Sequence, residues 1–403
     1  MIHYFNPGHE TAVLNASKHY QPAAGIAKMQ EDLAFLPAWY ADFDDFVFVK
    51  NSLPDNFLSS IQALKQPASA ICEQSLFEQS DKLFNQEISL WGISPQSIHF
   101  FEKIDWQYHL SLKIPAWKEE FRFLGSRFAA KEIISELVET VPEIEKAILP
   151  EFYSDLPEIE KVCLSALKAG FPDRLLLKSP YSSSGRGLVW LPPGKPTQSE
   201  KQIISGMLKK QSQVSIEMAL DKQLDFSMHF EILSEGITQF TGYSVFQTNA
   251  KGVYENSLTD SRENLENRIA VYTGKDLLMQ VRKQLTELLN KTYSPYYIGN
   301  IGVDMLVYKS GNQFRLHPCV EINMRKSMGY LSIRLYENFI HPGSQGKFFV
   351  EYFRNPQILL EKHLALQKQY PLQIESNRIC SGYLNLCPVN EQTNYQVKLI
   401  TKN

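Results

Sequence analysis

The chain has 403 residues, 43% of them hydrophobic and 21% charged, with a formal net charge of −3. That length supplies two or three domains with sizeable cores, and the slightly acidic balance offers no basic field for nucleic acid or an anionic membrane. No run approaches the roughly 20 apolar residues that span a bilayer, and Met1-Ile2-His3-Tyr4-Phe5 lacks the basic start and long apolar stretch of a secretory leader.

Cys72, Cys163, Cys319, Cys380 and Cys387 are scattered and form no CxxC pair. They predict neither a disulfide framework nor a zinc site, so a reduced, cytoplasmic protein is expected. Ile2 to Phe5 reads as a short strand ending in the turn Asn6-Pro7-Gly8. Ile26 to Tyr40 has apolar groups at helical spacing, and Phe46 to Val49 is a second buried-type strand. This alternation predicts a small parallel α/β unit. His9 and Glu10 follow the first strand at its carboxyl end, where open α/β sheets bind ligands; they are either substrate contacts or part of a structural turn.

Ser126 to Val138 is a predicted helix with Ser126 as N-cap and an apolar stripe of Ala130, Ile133, Ile134, Leu137 and Val141. Arg127 and Lys131 lie one turn apart on its other side. Pro142, Pro150 and Pro157 then punctuate a mixed segment of helices and short strands.

The run Leu175-Leu176-Leu177 leads into Lys178-Ser-Pro-Tyr-Ser-Ser-Ser-Gly-Arg-Gly-Leu188, and a second apolar run ends at Leu191. Strand, Lys, Ser/Gly loop, strand is a construction that can hold phosphate. Small residues let backbone N–H groups approach an anion, and Ser hydroxyls and a Lys add charge-assisted donors. An ordinary hairpin loop remains the alternative. Gln213 to Leu220 reads as a strand running into a connector, and Asp225 to Leu233 and Gly236 to Phe246 as antiparallel strands. Arg262 and Arg268 lie in the polar stretch that follows, either pairing with an acidic substrate or simply solvated.

After an amphipathic helix over Asp276 to Leu289, Ile301–Tyr308 and Gln313–Asn323 form a hairpin around Lys309-Ser310-Gly311-Asn312. It carries Asp304, then Glu321 and Asn323 on one face, then Arg325. A plain register puts Asp304 opposite Cys319 and two residues short of Glu321. Pro318, which cannot donate to a ladder, marks a bulge or an edge that would close the gap. Two carboxylates and an amide oxygen suit Mg²⁺; the polar outer face of an edge hairpin is the other reading. Cys319 reads as a packed core thiol. The tail is expected to be helical near Leu331–Phe339 and Pro356–Leu366, then irregular.

In this order the pieces resemble the ATP-grasp superfamily over 121–339: a cation on a helix, a strand Lys with a Ser/Gly loop, a connector, and a hairpin ending in Glu321-Ile322-Asn323-Met324-Arg325. The resemblance implies an α/β fold with two ATP-grasp lobes after a Rossmann-like parallel unit. Its expected divisions are 1–120 for the α/β unit, 121–216 for the small lobe, 217–345 for the large lobe and 346–403 for a helical and irregular extension. It assigns Lys178, Ser182, Ser183, Ser184, Gly185 and Gly187 to the nucleotide phosphates. Glu217, Met218, Ala219 and Leu220 fall to adenine, Asp225 to ribose, Asp304, Glu321 and Asn323 to magnesium, and Arg325 to the transferred phosphate.

Arg127 stands where the family usually has a Lys after an acid, with Lys131 as a possible substitute. Arg186 either reaches the γ-phosphate or is solvated. Lys326 and Ser327, directly after Arg325, must border the transfer site. The implied activity is ADP-forming ligation of a small-molecule carboxylate to an amine, with ATP and Mg²⁺ (or Mn²⁺) as cofactors and Lys178 and Arg325 as the catalytic pair. A small-molecule kinase and a non-catalytic nucleotide sensor are the alternatives, and a homodimer stays open.

Overall fold

Short apolar segments near the amino terminus are buried on both faces and pair in parallel, as strands covered on two sides do. In the computed structural model, which describes residues 1–168, 174–182, 187–249 and 252–402, they are β1 (Ile2–Tyr4), β2 (Phe46–Phe48), β3 (Ser69–Ile71) and β4 (Ile88–Leu90), in the order β3-β2-β1-β4. The helix expected over 26–40 is shorter: Ala24–Asp32 is helical, and Leu36–Trp39 is a separate 3₁₀ turn. Pro37, with no N–H to give, cannot continue the first helix. Trp39 is fully buried there, its indole N–H donating to Leu386 O at 2.7 Å.

Ser126 caps the helix Arg127–Thr140, accepting from the Phe128 N–H at 3.2 Å. Its expected apolar stripe is buried in a core shared with the helix Lys275–Thr292. A second, antiparallel sheet follows: β5 (Glu151–Tyr153), β6 (Leu175–Lys178), β7 (Leu188–Leu191) and β8 (Val214–Met218), ordered β5-β8-β6-β7. Ile159 and Cys163 of the helix Leu156–Lys168 and Ile204 of the helix Gln198–Gln211 pack on it with Leu177, Leu191 and Val214 as a small separate core.

The largest sheet has nine strands: β9 (Asp221–Ile232), β10 (Thr238–Thr248), β11 (Tyr254–Thr259), β12 (Gly299–Ser310), β13 (Gln313–Asn323), β14 (Gln345–Tyr352), β15 (Gln373–Glu375), β16 (Arg378–Asn385) and β17 (Tyr395–Lys402), in the order β13-β12-β9-β10-β11-β14-β17-β16-β15. The tail is therefore not an irregular extension. Its last three strands continue the sheet, and β17 pairs along all of β14 from Gln345↔Lys402 to Tyr352↔Tyr395. Polar residues hide this pattern in the sequence: Gln396 and Lys398 are buried in β17 and both bond to Glu351, at 2.5 and 2.7 Å. A third core joins the helix Met328–Phe339 and β14, β16 and β17 to the amino-terminal unit. Among the described residues no helix is long and apolar enough to cross a membrane.

The β12–β13 hairpin shows how the chain places its carboxylates. Pairing runs from Ser310↔Gln313 to Leu306↔His317, then shifts, so that Asp304 lies opposite Glu321 and Gly302 opposite Asn323. Met305 alone faces Pro318, Cys319 and Val320. The bulge expected from Pro318 closes the gap and brings the two carboxylates face to face.

Candidate functional site

A cleft of about 390 Å³ opens between the four-stranded antiparallel sheet and the carboxylate hairpin. Lys178 ends β6 on one wall and is 4% exposed. Its Nζ lies 2.5 Å from Glu217 Oε2, and Ser215 Oγ donates to the other Glu217 oxygen at 3.4 Å. Burial alone would raise the Glu217 carboxyl. Lys178, His317 and Arg127 outweigh it and hold the group below the usual carboxylate range. The sequence reading gave Glu217 to adenine; its side chain is instead committed to Lys178.

The base of the Ser/Gly loop is closed by the Ser179 N–H donating to Gly187 O at 2.9 Å. Gly187 has φ +81, a left-handed conformation that favours glycine, and a Cβ there would sit 3.0 Å from Ser179 Oγ. Ser182 lines the cleft. Ser183, Ser184, Gly185 and Arg186 lie outside the described residues.

Arg127, 8% exposed, ties this loop to the hairpin. Its Nε donates to Ser179 O at 3.2 Å and its terminal nitrogens to Val320 O at 3.1 Å, Ser182 Oγ at 3.4 Å and Glu321 Oε2 at 2.7 Å. Lys131 does not take its place. It turns to β5, 3.6 Å from Glu151 and 5.7 Å from the Phe152 ring centroid, and does not line the cleft.

On the opposite wall Asp304 accepts from Ser227 Oγ at 2.6 Å and from Asn323 Nδ2 at 3.0 Å. Burial, and then the neighbouring Glu321 charge, push its carboxyl up to about 7. Two carboxylates facing each other, one of them holding a proton, fit a divalent cation that would relieve both. Among the described residues no third His, Cys, Asp or Glu joins them, which suits Mg²⁺, an ion usually held by one or two carboxylates plus substrate phosphates. Asn323 fits less directly: its Oδ1 accepts from Arg325 at 2.9 Å, so the amide would have to exchange that bond to ligate an ion. Cys319 is buried behind the hairpin, and burial raises its thiol far above the ordinary range, as befits a packed core sulfur.

Apolar residues line the other end of the cleft: Leu176, Leu188, Trp190, Met218, Leu220 and Leu306. Of the expected connector, Met218 and Leu220 face the slot, whereas the Ala219 N–H is taken by Arg174 O at 2.9 Å. Asp225 lies at the rim, bonded to Lys222 at 2.5 Å and Thr248 at 2.9 Å. Trp190, Leu306, His317 and Ser227 were missed. Ser227 pairs directly with Asp304 across β9 and β12, a relation between strands that periodicity within one strand cannot reveal.

Arg325 lies 2.5 Å from Glu10, contributed by the helix His9–Asn15 that follows β1. Burial opposes ionisation of Glu10, but Arg325 outweighs it and lowers the carboxyl. Glu10 thus reaches the cleft through Arg325. His9 turns inward to Ile93 O at 3.0 Å, and burial lowers its imidazole to about 4. Ser327 lines the cleft and caps the helix Met328–Phe339. Lys326 faces away from the cleft, donating to Ser89 Oγ at 2.8 Å. Arg262 is also outside it, stacked 4.6 Å from the Phe240 ring centroid, and Arg268 lines a separate groove.

No protein-family model and no curated protein matches this chain. Among solved structures, it is similar to N5-carboxyaminoimidazole synthetase from Staphylococcus aureus complexed with ADP, at 13% identity and TM-score 0.49 over 100% of this chain and 93% of that one. A biotin carboxylase complex from Campylobacter jejuni gives 11% identity and TM-score 0.49 over 100% and 86%. Similarity this distant leaves the reaction and its substrates to be argued from the side chains.

Proposed function

We propose that this chain is a member of the ATP-grasp superfamily and works as a Mg²⁺-ATP-dependent, ADP-forming ligase that joins a small-molecule carboxylate to an amine. The observation that carries this reading is a single cleft with Lys178 on one wall and the Asp304–Glu321 pair with Arg325 on the other, continued by an apolar slot. The slot around Trp190, Met218 and Leu306 has the shape and polarity for a purine, and the charged end has the donors for its phosphates. In this reading 121–216 and 217–345 are the two lobes, and 1–120 shapes the second-substrate side. The five cysteines are buried and free, which suits a reducing, cytoplasmic setting.

Phosphoryl transfer asks for positioning and charge neutralisation rather than a covalent nucleophile. Asp304, Glu321 and, after exchange of its bond to Arg325, Asn323 would hold Mg²⁺, which when bound supplies Lewis-acid neutralisation of the terminal phosphates. Lys178 donates to phosphate oxygens as Glu217 yields part of its hold. Arg325, oriented by Glu10, presents its guanidinium to the acyl-phosphate and stabilises the charge that develops there. An amine then displaces phosphate from the activated acyl carbon.

The test measures ADP and phosphate release with ATP, Mg²⁺, and acids and amines added singly and in pairs. Release that needs both partners is expected. A stable phosphorylated product with the acid alone would make the chain a kinase, and nucleotide binding without turnover would make it a sensor. Glu321→Gln should abolish turnover while leaving the fold intact; near-normal activity in that variant sinks the metal assignment.

A further inference from the structure

A second cavity, about 710 Å³, lies between the edge strand β4 of the parallel sheet and the far end of β9 and β12. The segment carrying Arg325 and Lys326 separates it from the cleft, pinned by the Lys326 N–H on Trp91 O at 2.9 Å. Lys326 Nζ donates to Ser89 Oγ at 2.8 Å and Leu90 O at 3.2 Å and sits 5.6 Å from the Tyr40 ring centroid. An ammonium has three N–H groups, so one is left. No carboxylate lies within ion-pair distance of it among the described residues. Burial pushes this ammonium down to about 8, the response of a charge without a counter-ion.

Other cations around the cavity are already engaged. Arg334 pairs with Glu337 at 2.8 Å, the Met1 amino group with Asp45, and Lys118 with Tyr296 O at 2.6 Å. Two more donors on the same wall have no partner: Asn300 Nδ2, on a side chain 6% exposed, and Thr241 Oγ1. Unmet donors beside an unpaired ammonium ask for an anion with two oxygens. The wall also holds an unspent negative charge. Glu231 pairs with Asn300 across β9 and β12, so the two side chains share a face. Its carboxylate makes no hydrogen bond or ion pair among the described residues, and it is the nearest-acting acid on Lys326.

We propose that this cavity binds a zwitterion, an α-amino acid or a short peptide, with its carboxylate on Lys326 and Asn300 and its ammonium on Glu231. That this ligand is the second substrate rests on the ligase reading; the binding itself does not. One cation and one acid on a single wall disfavour a dianion such as phosphate, which Glu231 would repel. Adjacency supplies the link to chemistry: Lys326 anchors the ligand one residue from Arg325, so the part that reacts extends toward the transfer site.

Calorimetric titration of the full chain with the standard α-amino acids and di- and tripeptides tests this, each compound also as its N-acetyl and C-amide form. At least one zwitterion should bind, and either blocked form should weaken it roughly tenfold or more, the scale of one charge-assisted hydrogen bond. Lys326→Met should weaken the carboxylate-bearing ligand by a similar factor. Glu231→Gln should weaken the free amine but not its N-acetyl form, which keeps the test alive if the first variant fails to fold. Absence of binding across the panel, or equal binding by wild type and both variants, overturns the proposal. A separate titration with a non-hydrolysable Mg²⁺-ATP analogue keeps the two readings apart. Analogue binding without zwitterion binding overturns only the cavity, and the converse overturns only the ATP cleft.

Discussion

Lys178 holds its ammonium 2.5 Å from Glu217 with almost no solvent around either group. Removing one partner of such a pair leaves the other as a buried, uncompensated charge, which typically costs about 3–5 kcal/mol. Lys178→Met should therefore destabilise the ligand-free protein on that scale, and Lys178→Met combined with Glu217→Leu should recover most of the loss. Both should lose nucleotide binding. Denaturant unfolding measures the first effect; a double variant as unstable as the single one would show that the pair is not coupled.

Asp304 makes the opposite demand. Its carboxyl is raised to about 7 by burial and by Glu321, so it is protonated below that pH and charged above it. A cation needs the charged form. Affinity for Mg²⁺ with nucleotide should be flat above pH 7 and fall by up to about tenfold per unit below it, with a proton released on binding at pH 6. Titration calorimetry in buffers of different ionisation enthalpy counts that proton. Equal proton release at pH 6 and pH 8 would exclude Asp304 as a ligand.

At the scale of elements, legibility followed how local each signal was. The hairpin of β12 and β13 was readable because its turn, its alternation and Pro318 lie within one stretch of chain, and the bulge that pairs Asp304 with Glu321 came out as Pro318 implied. The loop after Lys178 was readable from composition, though its middle residues lie outside the described ones. β16 and β17 were not, because their buried Gln396 and Lys398 are satisfied by Glu351 on a strand reached only through tertiary pairing. The Glu10–Arg325 pair joins residues 315 apart, and no sequence period reports a contact of that kind. The start of the helix Met328–Phe339 is another such contact. A Cβ on Gly329 would come within 2.4 Å of both His229 Nε2 and Ser244 Oγ, which are bonded to each other at 2.9 Å beneath it. Gly329→Ala must lift the helix or break that pair, costing about 1–3 kcal/mol. A thermal melt checks this, and an unchanged midpoint would show that the helix sits more loosely than drawn.

For the whole molecule, the three cores divide the work unequally. The core under the parallel sheet merges with β14, β16 and β17, and the core under β9–β13 takes in the helix Arg127–Thr140. Both draw on segments far apart in the chain. The sheet of β5–β8 has a small core of its own, and its polar ties to the large sheet centre on Arg127, which reaches Ser179 and Ser182 on one side and Val320 and Glu321 on the other. A unit with few buried contacts to its neighbours opens at lower free energy than the rest. Amide exchange in β6 and β8 should therefore be faster than in β9 and β12 when no ligand is present. A nucleotide gripped by Lys178 on one side and by the hairpin on the other binds only the closed arrangement. At about 100 times its dissociation constant such a ligand stabilises the closed form by roughly 2.7 kcal/mol, which slows exchange through that opening about 100-fold. The slowing should be confined to β5–β8 and the hairpin face, leaving β14–β17 unchanged. Equal exchange across both sheets without ligand would mean that the small sheet and the large one open together, and the cleft would then have to admit ATP without the small sheet moving.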